Sequence, residues 1–257
     1  MRKDRNMKID LEGVRALVTG ASSGIGEAIS VTLAGCGAVV GVHYNTGGEK
    51  ARRLADGFAN GSKAFGADLA DPGAARGLFA EAAEAFGGID LLVNNAGIFM
   101  PAHPGGGHEA WMETWESTIA INLTSAGVLC REAIDHFSGR GGRIVNIASR
   151  AAFRGETAEY LAYAASKGGM ISLSRSIARS FGKEGIKSFA IAPGYVRTPM
   201  TEEYLAEHGD WMVANELALG EMTAPGDIAP LVAFIASGML DHATGCTIDI
   251  NGGSYIH

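Results

Sequence analysis

Tyr163 and Lys167 stand four residues apart in a segment, Ala158 to Phe181, whose pattern reads as helix, so both side chains project from one face. A phenol and an ammonium that reach one ligand suit proton transfer, because the cation stabilises phenolate and draws down an ionisation that otherwise sits near 10. The strand-like run Arg143 to Ala148 delivers the Ser149 hydroxyl at its carboxyl end, just before that helix. Hydride delivery to a carbonyl creates an alkoxide, which needs a proton donor and oriented hydrogen bonds where charge develops. Tyr163 fits the acid in reduction and the base in oxidation. Lys167 is the cation that tunes it, and Ser149 the hydroxyl that holds the substrate oxygen. The Tyr/Lys spacing arises by chance in many chains, so it gains weight only from its surroundings.

Those surroundings include a phosphate cradle. Val14 to Thr19 runs straight into Gly20-Ala-Ser-Ser-Gly24-Ile-Gly26, and Glu27 to Leu33 then reads as helix. Gly20 allows a tight turn, Gly24 lets the backbone approach a pyrophosphate, and Gly26 lets helix pack on strand. The first N–H groups of the helix and its positive dipole end attract the anion. Gly20, Ser22, Ser23, Gly24, Ile25 and Gly26 are therefore cofactor-binding candidates. The same run formally matches the hydrolase elbow Gly20-x-Ser22-x-Gly24, but that elbow sits mid-sheet with its oxyanion loop upstream, and here about one strand precedes the turn.

In dinucleotide folds an acid some 20 positions further on accepts hydrogen bonds from the adenosine ribose of NAD. Here the second strand ends Val42-His43-Tyr44-Asn45-Thr46, and the first carboxylate is Glu49. A 2′-phosphate would meet no repulsion at Tyr44, Asn45 and Thr46. NADP is favoured over NAD, with a loop that accepts both cofactors as the alternative.

The elements that must position these groups are legible as alternation. Strand candidates are Val14 to Thr19, Ala38 to His43, Lys63 to Ala67, Ile89 to Asn94, Arg143 to Ala148, Lys187 to Ala192 and Thr247 to Ile250, with Ala-rich amphipathic segments between most of them. Near-continuous Val/Ile/Leu strands alternating with helices predict a doubly wound α/β fold, a parallel sheet of about seven strands covered on both faces. Asp71-Pro72 is a helix start, Asp capping and Pro in the first turn. With 257 residues, 47% of them hydrophobic, the chain suits one catalytic domain, residues 1–10 forming a loose extension. The 37 glycines point to backbone geometry, because Pro is only 7 and disorder needs more of both. A net charge of −7 without a basic run disfavours nucleic acid and anionic membranes. Three scattered cysteines suit a reducing compartment, and no apolar stretch resembles a leader or a span. The expected location is the cytoplasm.

Taken together, Thr19 to Gly26, Asn94-Asn-Ala-Gly97, Asn122, Ser149, Tyr163-x-x-x-Lys167, Pro193-Gly194 and Ile250-Asn-Gly-Gly253 resemble the short-chain dehydrogenase/reductase family from about Leu11 to Gly253, 3-oxoacyl-carrier reductases among its members. The resemblance implies an NAD(P)-dependent oxidoreductase acting on carbonyls or secondary alcohols. It implies Asp68 and Leu69 beside the adenine, and Asn95, Ala96 and Gly97 along the cofactor. It also places Pro193, Gly194, Val196 and Thr198 at the nicotinamide end, Lys167 on the ribose, and Asn122 at a water leading from Lys167. A homotetramer is implied as well. The Ser149 to Tyr163 interval is one longer than usual for the family, with Glu159-Tyr160-Leu161 the place for the extra residue. The alternative from another class is a non-catalytic dinucleotide sensor, which would have no need of both Tyr163 and Lys167.

Other residues carry competing readings. His103 and His108-Glu109 invite a metal, but Met112 stands where a zincin helix needs its second His, so a loop leading to the Trp111/Trp115 helix is expected and no metal. Phe99, Met100, Phe153, Tyr195, Met200, Trp211 and Met212 suit either an apolar substrate pocket or core. Arg150 and Arg154 suit solvated surface more than capture of an anionic substrate.

Overall fold

The computed structural model describes residues 9–58, 60–208 and 215–256. Strands β1 (Arg15–Val18), β2 (Val39–Tyr44), β3 (Lys63–Gly66), β4 (Leu91–Asn94), β5 (Gly142–Ile147), β6 (Ile186–Pro193) and β7 (Thr247–Ile250) form one sheet in the order β3-β2-β1-β4-β5-β6-β7. Every pairing is parallel. All seven lie where apolar runs predict them; the largest shift is in β4, which starts at Leu91 rather than Ile89.

Because the strands are apolar on both sides, helices cover both faces. On one face Ile29 and Leu33 of α1 (Gly24–Gly35) meet Ile228 and Val232 of the Pro225–Ala236 helix over Val18, Val40 and Val93. On the other, α3 (Pro72–Phe86), α5 (Ser125–Phe137) and α7 (Leu161–Phe181) bury Leu78, Phe79, Leu129, Phe137 and Ile177 against Leu17, Leu92 and Ile144. Asp71 caps α3 as expected, accepting the Gly73 N–H at 2.7 Å.

The chain winds outward from β1 through β2 to β3, then returns to β4 on β1's other side. That reversal opens a crevice at the carboxyl ends, where doubly wound sheets bind ligands. Two departures from plain helix bear on it. A π-turn, Ala120–Thr124, is inserted between α4 (His108–Ile119) and α5 and swings Asn122 into full burial, a local irregularity that apolar spacing does not encode. A 3₁₀ turn, Ala158–Tyr160, precedes α7 where the extra residue was expected. Residues 1–8, most of the expected loose extension, lie outside the described residues, whereas Ile9 packs on the core and Leu11 is buried. No helix among the described residues is long and apolar enough to cross a membrane.

Candidate active site

The glycine turn is held by contacts that only glycine permits. Gly20 has φ +60°, and a Cβ there would lie 3.0 Å from the Ala96 backbone; one on Gly26 would lie 2.4 Å from the Gly20 carbonyl oxygen. The start of α1 is therefore pressed onto the end of β1. Thr19 Oγ1 accepts the N–H groups of Asn95 and Ala96, both at 2.9 Å, and Asn95 Nδ2 donates to the Thr19 and Gly20 carbonyls at 2.9 and 3.2 Å. Ser23, the N-cap of α1, makes no side-chain capping bond. The first-turn N–H groups are thus left for an anion.

His43 completes this scaffold and was missed in the sequence. Its Nδ1 accepts the Gly20 N–H at 3.0 Å and its Nε2 faces the Ala67 carbonyl at 3.1 Å, so the geometry calls for a neutral ring with its proton on Nε2. Burial lowers the His43 pKa, which favours that form. The available signal was a polar residue at the carboxyl end of an otherwise apolar strand.

A cleft of about 360 Å³ runs from this turn across the sheet edge. Gly20, Ser22, Ser23, Gly24 and Ile25 line one end, with His43, Asn45, Thr46, Asp68 and Leu69 beside them at the ends of β2 and β3. Asn95, Ala96 and Gly97 form the middle. Ser149, Tyr163, Lys167, Pro193, Gly194, Val196 and Thr198 line the other end. Three candidates do not line it. Gly26 acts underneath, in helix packing. Tyr44 stands aside from the lining: strand alternation turns His43 toward the cleft and the Tyr44 ring away. The Tyr44 ring lies over Gly48 and Gly66, with the Arg52 guanidinium 5.9 Å above it. Asn122 sits behind the wall, its Oδ1 accepting the Ile98 N–H at 2.8 Å and its Nδ2 donating to the Ile98 carbonyl at 3.0 Å and to Ser166 Oγ at 3.2 Å.

Ser149, Tyr163 and Lys167 converge. Ser149 and Tyr163 line the same end of the cleft, and Lys167 Nζ lies 5.7 Å from the centre of the Tyr163 ring while donating to the Ile147 carbonyl at 2.9 Å. The electrostatics correct one expectation. Burial outweighs the lowering influence of the Ser149 hydroxyl and, with the Glu156 charge adding to it, pushes the Tyr163 phenol up to about 12, rather than the ammonium drawing it down. Lys167, held among apolar neighbours, is pushed down to about 8 by burial. At neutral pH the pair therefore stands as a protonated phenol beside an ammonium, a loaded proton donor.

A smaller chamber of about 80 Å³ opens from Ser149 and Tyr163, walled by Phe99, Tyr195 and Met200 with Arg150 and Glu156. Phe99 stacks on Tyr160 at 3.8 Å and stands edge-on to Tyr163 at 4.8 Å. Of the other pocket candidates, Met100 is exposed, Phe153 stacks on Tyr255 at 6.4 Å, and Trp211 and Met212 lie outside the described residues. Arg150 is a second correction: instead of surface, it is 2% exposed, lies 4.3 Å over the Tyr195 ring and pairs with Glu216 at 2.8 Å. The stacking and the ion pair together hold a charge that the sequence alone would leave in water. Arg154 pairs with Glu156 and Glu216. His103 Nδ1 accepts the Gly105 N–H at 3.0 Å within its own turn.

Comparison with known proteins adds to this geometry. Residues 20–255 match a family model described as enoyl-(acyl carrier protein) reductase. The chain is 33% identical to the 3-oxoacyl-[acyl-carrier-protein] reductase FabG of Aquifex aeolicus, covering 97% of this chain and 100% of that one. It is 36% identical to an L-rhamnose 1-dehydrogenase (NAD(P)(+)) of a Sphingomonas species over 96% of this chain and 98% of the relative. A short-chain dehydrogenase of Burkholderia cenocepacia, solved with NADP, superposes with a TM-score of 0.88 at 37% identity, covering 95% of this chain and 98% of that one.

Proposed function

The chain belongs to the short-chain dehydrogenase/reductase family and is an NAD(P)-dependent oxidoreductase acting on CH–OH and C=O groups; from that premise we propose that its working cofactor is NADP(H) and that Ser149, Tyr163 and Lys167 are its reacting constellation. The observation that carries this reading is that Ser149, Tyr163 and Lys167 line one end of a cleft whose other end is the glycine turn.

The residues present fit a dinucleotide. Gly20 to Ile25 would hold the pyrophosphate on the start of α1, Asp68 and Leu69 would flank the adenine, and Asn95 to Gly97 would underlie the middle. At the far end Lys167 would reach the ribose, and Pro193, Gly194, Val196 and Thr198 would meet the nicotinamide. Asn45 and Thr46 line the adenosine end, and the first carboxylate beyond them along the chain, Glu49, is exposed and paired with Arg53, so no acid at the end of β2 repels a 2′-phosphate. The Burkholderia protein, solved with NADP, supports the same choice. When bound, the nicotinamide supplies or takes the hydride. In reduction the Tyr163 phenol gives its proton to the substrate oxygen as charge develops there, and the Ser149 hydroxyl orients that oxygen. The Lys167 ammonium then stabilises the phenolate left behind. Asn122 acts through position: it fixes Ile98, and with Lys167 Nζ it faces Gly97, where a Cβ would approach them to 3.2 and 3.4 Å.

The protein is further read as one catalytic domain that works in the cytoplasm as a homotetramer. Free thiols at Cys36, Cys130 and Cys246 and the family resemblance support this, and light scattering of the purified protein tests the assembly. A sensor without catalysis has no observation in its favour. Titration with NADPH and NADH by fluorescence, followed by turnover of a ketone panel, tests the reading. The expected result is tighter binding of NADPH and consumption of it; tighter binding of NADH, or no turnover of any carbonyl, contradicts it.

A further inference from the structure

The chamber beside Tyr163 contains a carboxylate that the reaction itself does not need. Glu156 lines it together with Ser149 and Tyr163, and its side chain is only 14% exposed. A chain of alternating charges holds it there. Both Glu156 carboxylate oxygens accept from Arg154 Nη2 at 3.3 Å; Arg154 also meets Glu216 at 3.7 Å; Glu216 pairs with Arg150 at 2.8 Å; and the Arg150 guanidinium is clamped on Tyr195. Two guanidiniums and two carboxylates cancel, so the cluster exerts no net pull on an ionic substrate.

We propose that Glu156 is a specificity-determining residue whose carboxylate accepts a hydrogen bond from a hydroxyl on the carbon next to the reacting one, which makes compact neutral 1,2-diols and the matching hydroxy ketones the preferred substrates. This rests on the oxidoreductase reading above and narrows it.

Three features carry the inference. A carboxylate is acceptor-only with about four lone-pair sites, and the two contacts to Arg154 leave room for a donor. Phe99, Tyr195 and Met200 supply apolar wall next to it, against which a substrate hydroxyl can turn its proton to the carboxylate. The chamber is small, about 80 Å³, which suits a ring or short chain carrying hydroxyls better than a bulky apolar group. An anionic substituent would face the Glu156 carboxylate, and a cation would find Glu156 already neutralised by Arg154. In the oxidative direction Tyr163 must first release its own proton to solvent; the phenolate then takes the diol's hydroxyl proton, and a bound NADP⁺ would accept the hydride, so the products are the hydroxy ketone, NADPH and one proton.

The test compares kcat/KM of the full-length protein with NADP⁺ on cyclohexanol, cis- and trans-cyclohexane-1,2-diol and trans-2-aminocyclohexanol, in wild type, Glu156→Leu and Glu156→Gln. A charge-assisted hydrogen bond predicts that at least one diol exceeds cyclohexanol by about tenfold or more, and the aminoalcohol as well. In Glu156→Leu the diol-to-cyclohexanol ratio should collapse toward one. Glu156→Gln, whose amide oxygen still accepts, should keep part of it and gives the answer if the Leu variant fails to bind NADPH. A wild-type ratio near one, a preference for the aminoalcohol, or a ratio unchanged in both variants overturns the proposal while leaving the oxidoreductase reading intact. Failure to turn over any of these alcohols or the matching ketones overturns both.

Discussion

The two ends of the cleft are built from different materials. At the glycine turn the close contacts are made by backbone and small side chains, Gly20 against Ala96, Gly26 against the Gly20 carbonyl and Thr19 Oγ1 under two N–H groups, with His43 and Asn95 bracing the Gly20 peptide. At the substrate end they are made by large side chains, several from distant positions: Phe99 on Tyr160 and Arg150 between Tyr195 and Glu216, with the near neighbours Glu156 and Arg154 paired beside them. The first end can hold one shape of ligand and tolerates almost no change. The second can be re-cut by single substitutions without touching the first, which is how one scaffold can serve different alcohols.

The contrast is sharpest at Gly26. A Cβ there would collide at 2.4 Å with a backbone carbonyl that cannot swing aside, so Gly26→Ala must lift α1 from β1. Its expected cost is on the order of 1–3 kcal/mol of stability, and NADPH binding should weaken by more than about a hundredfold as the turn loses its shape. By comparison Arg150→Met should leave NADPH affinity near wild type and raise substrate KM by about tenfold, because the loss falls on Glu216 and Tyr195 alone; Glu216 is about a third exposed, so the stranded charge is partly solvated. Equal losses of NADPH affinity in the two variants, read by calorimetric titration, would erase the distinction between the ends.

This difference also explains what could be read in the sequence. The strand order, the glycine turn and the Tyr163/Lys167 pair are local patterns, because strand period, turn chemistry and helix spacing are set by near neighbours. Tyr44 shows the limit: its place beside Asn45 and Thr46 was visible, but the face it takes depends on the register of β2, which aims His43 into the cleft instead. Arg150 shows another limit, since its burial depends on Tyr195 and on Glu216, 66 positions away (216 − 150). The π-turn at Asn122 has no spacing signature either. The Tyr163 phenol is the instructive electrostatic miss: an ammonium four residues on predicts a lowered value, yet Lys167 is turned to the Ile147 carbonyl, and burial prevails.

Lys167 joins the two ends and makes the smallest of the expected effects. Burial moves its ionisation from 10.5 to about 8. Between those values the unfolded chain still binds the proton that the folded chain has released, so the Lys167 contribution to stability rises with pH across that window. Without cofactor, Lys167→Met should melt higher than wild type at pH 7. The gap should narrow by about a few degrees between pH 8 and 10, before Tyr163 begins to ionise. A gap independent of pH, followed by thermal melting, would mean that Lys167 is not held charged in an apolar site.

The central claim is that the Tyr163 phenol gives up the proton while the cofactor is held by the other end. It is tested most directly in Tyr163→Phe, by measuring NADPH affinity and the rate of ketone reduction on the same preparation. The account predicts affinity within about threefold of wild type and a rate lower on the order of 10²–10⁴-fold; reduction at a near-native rate would contradict it.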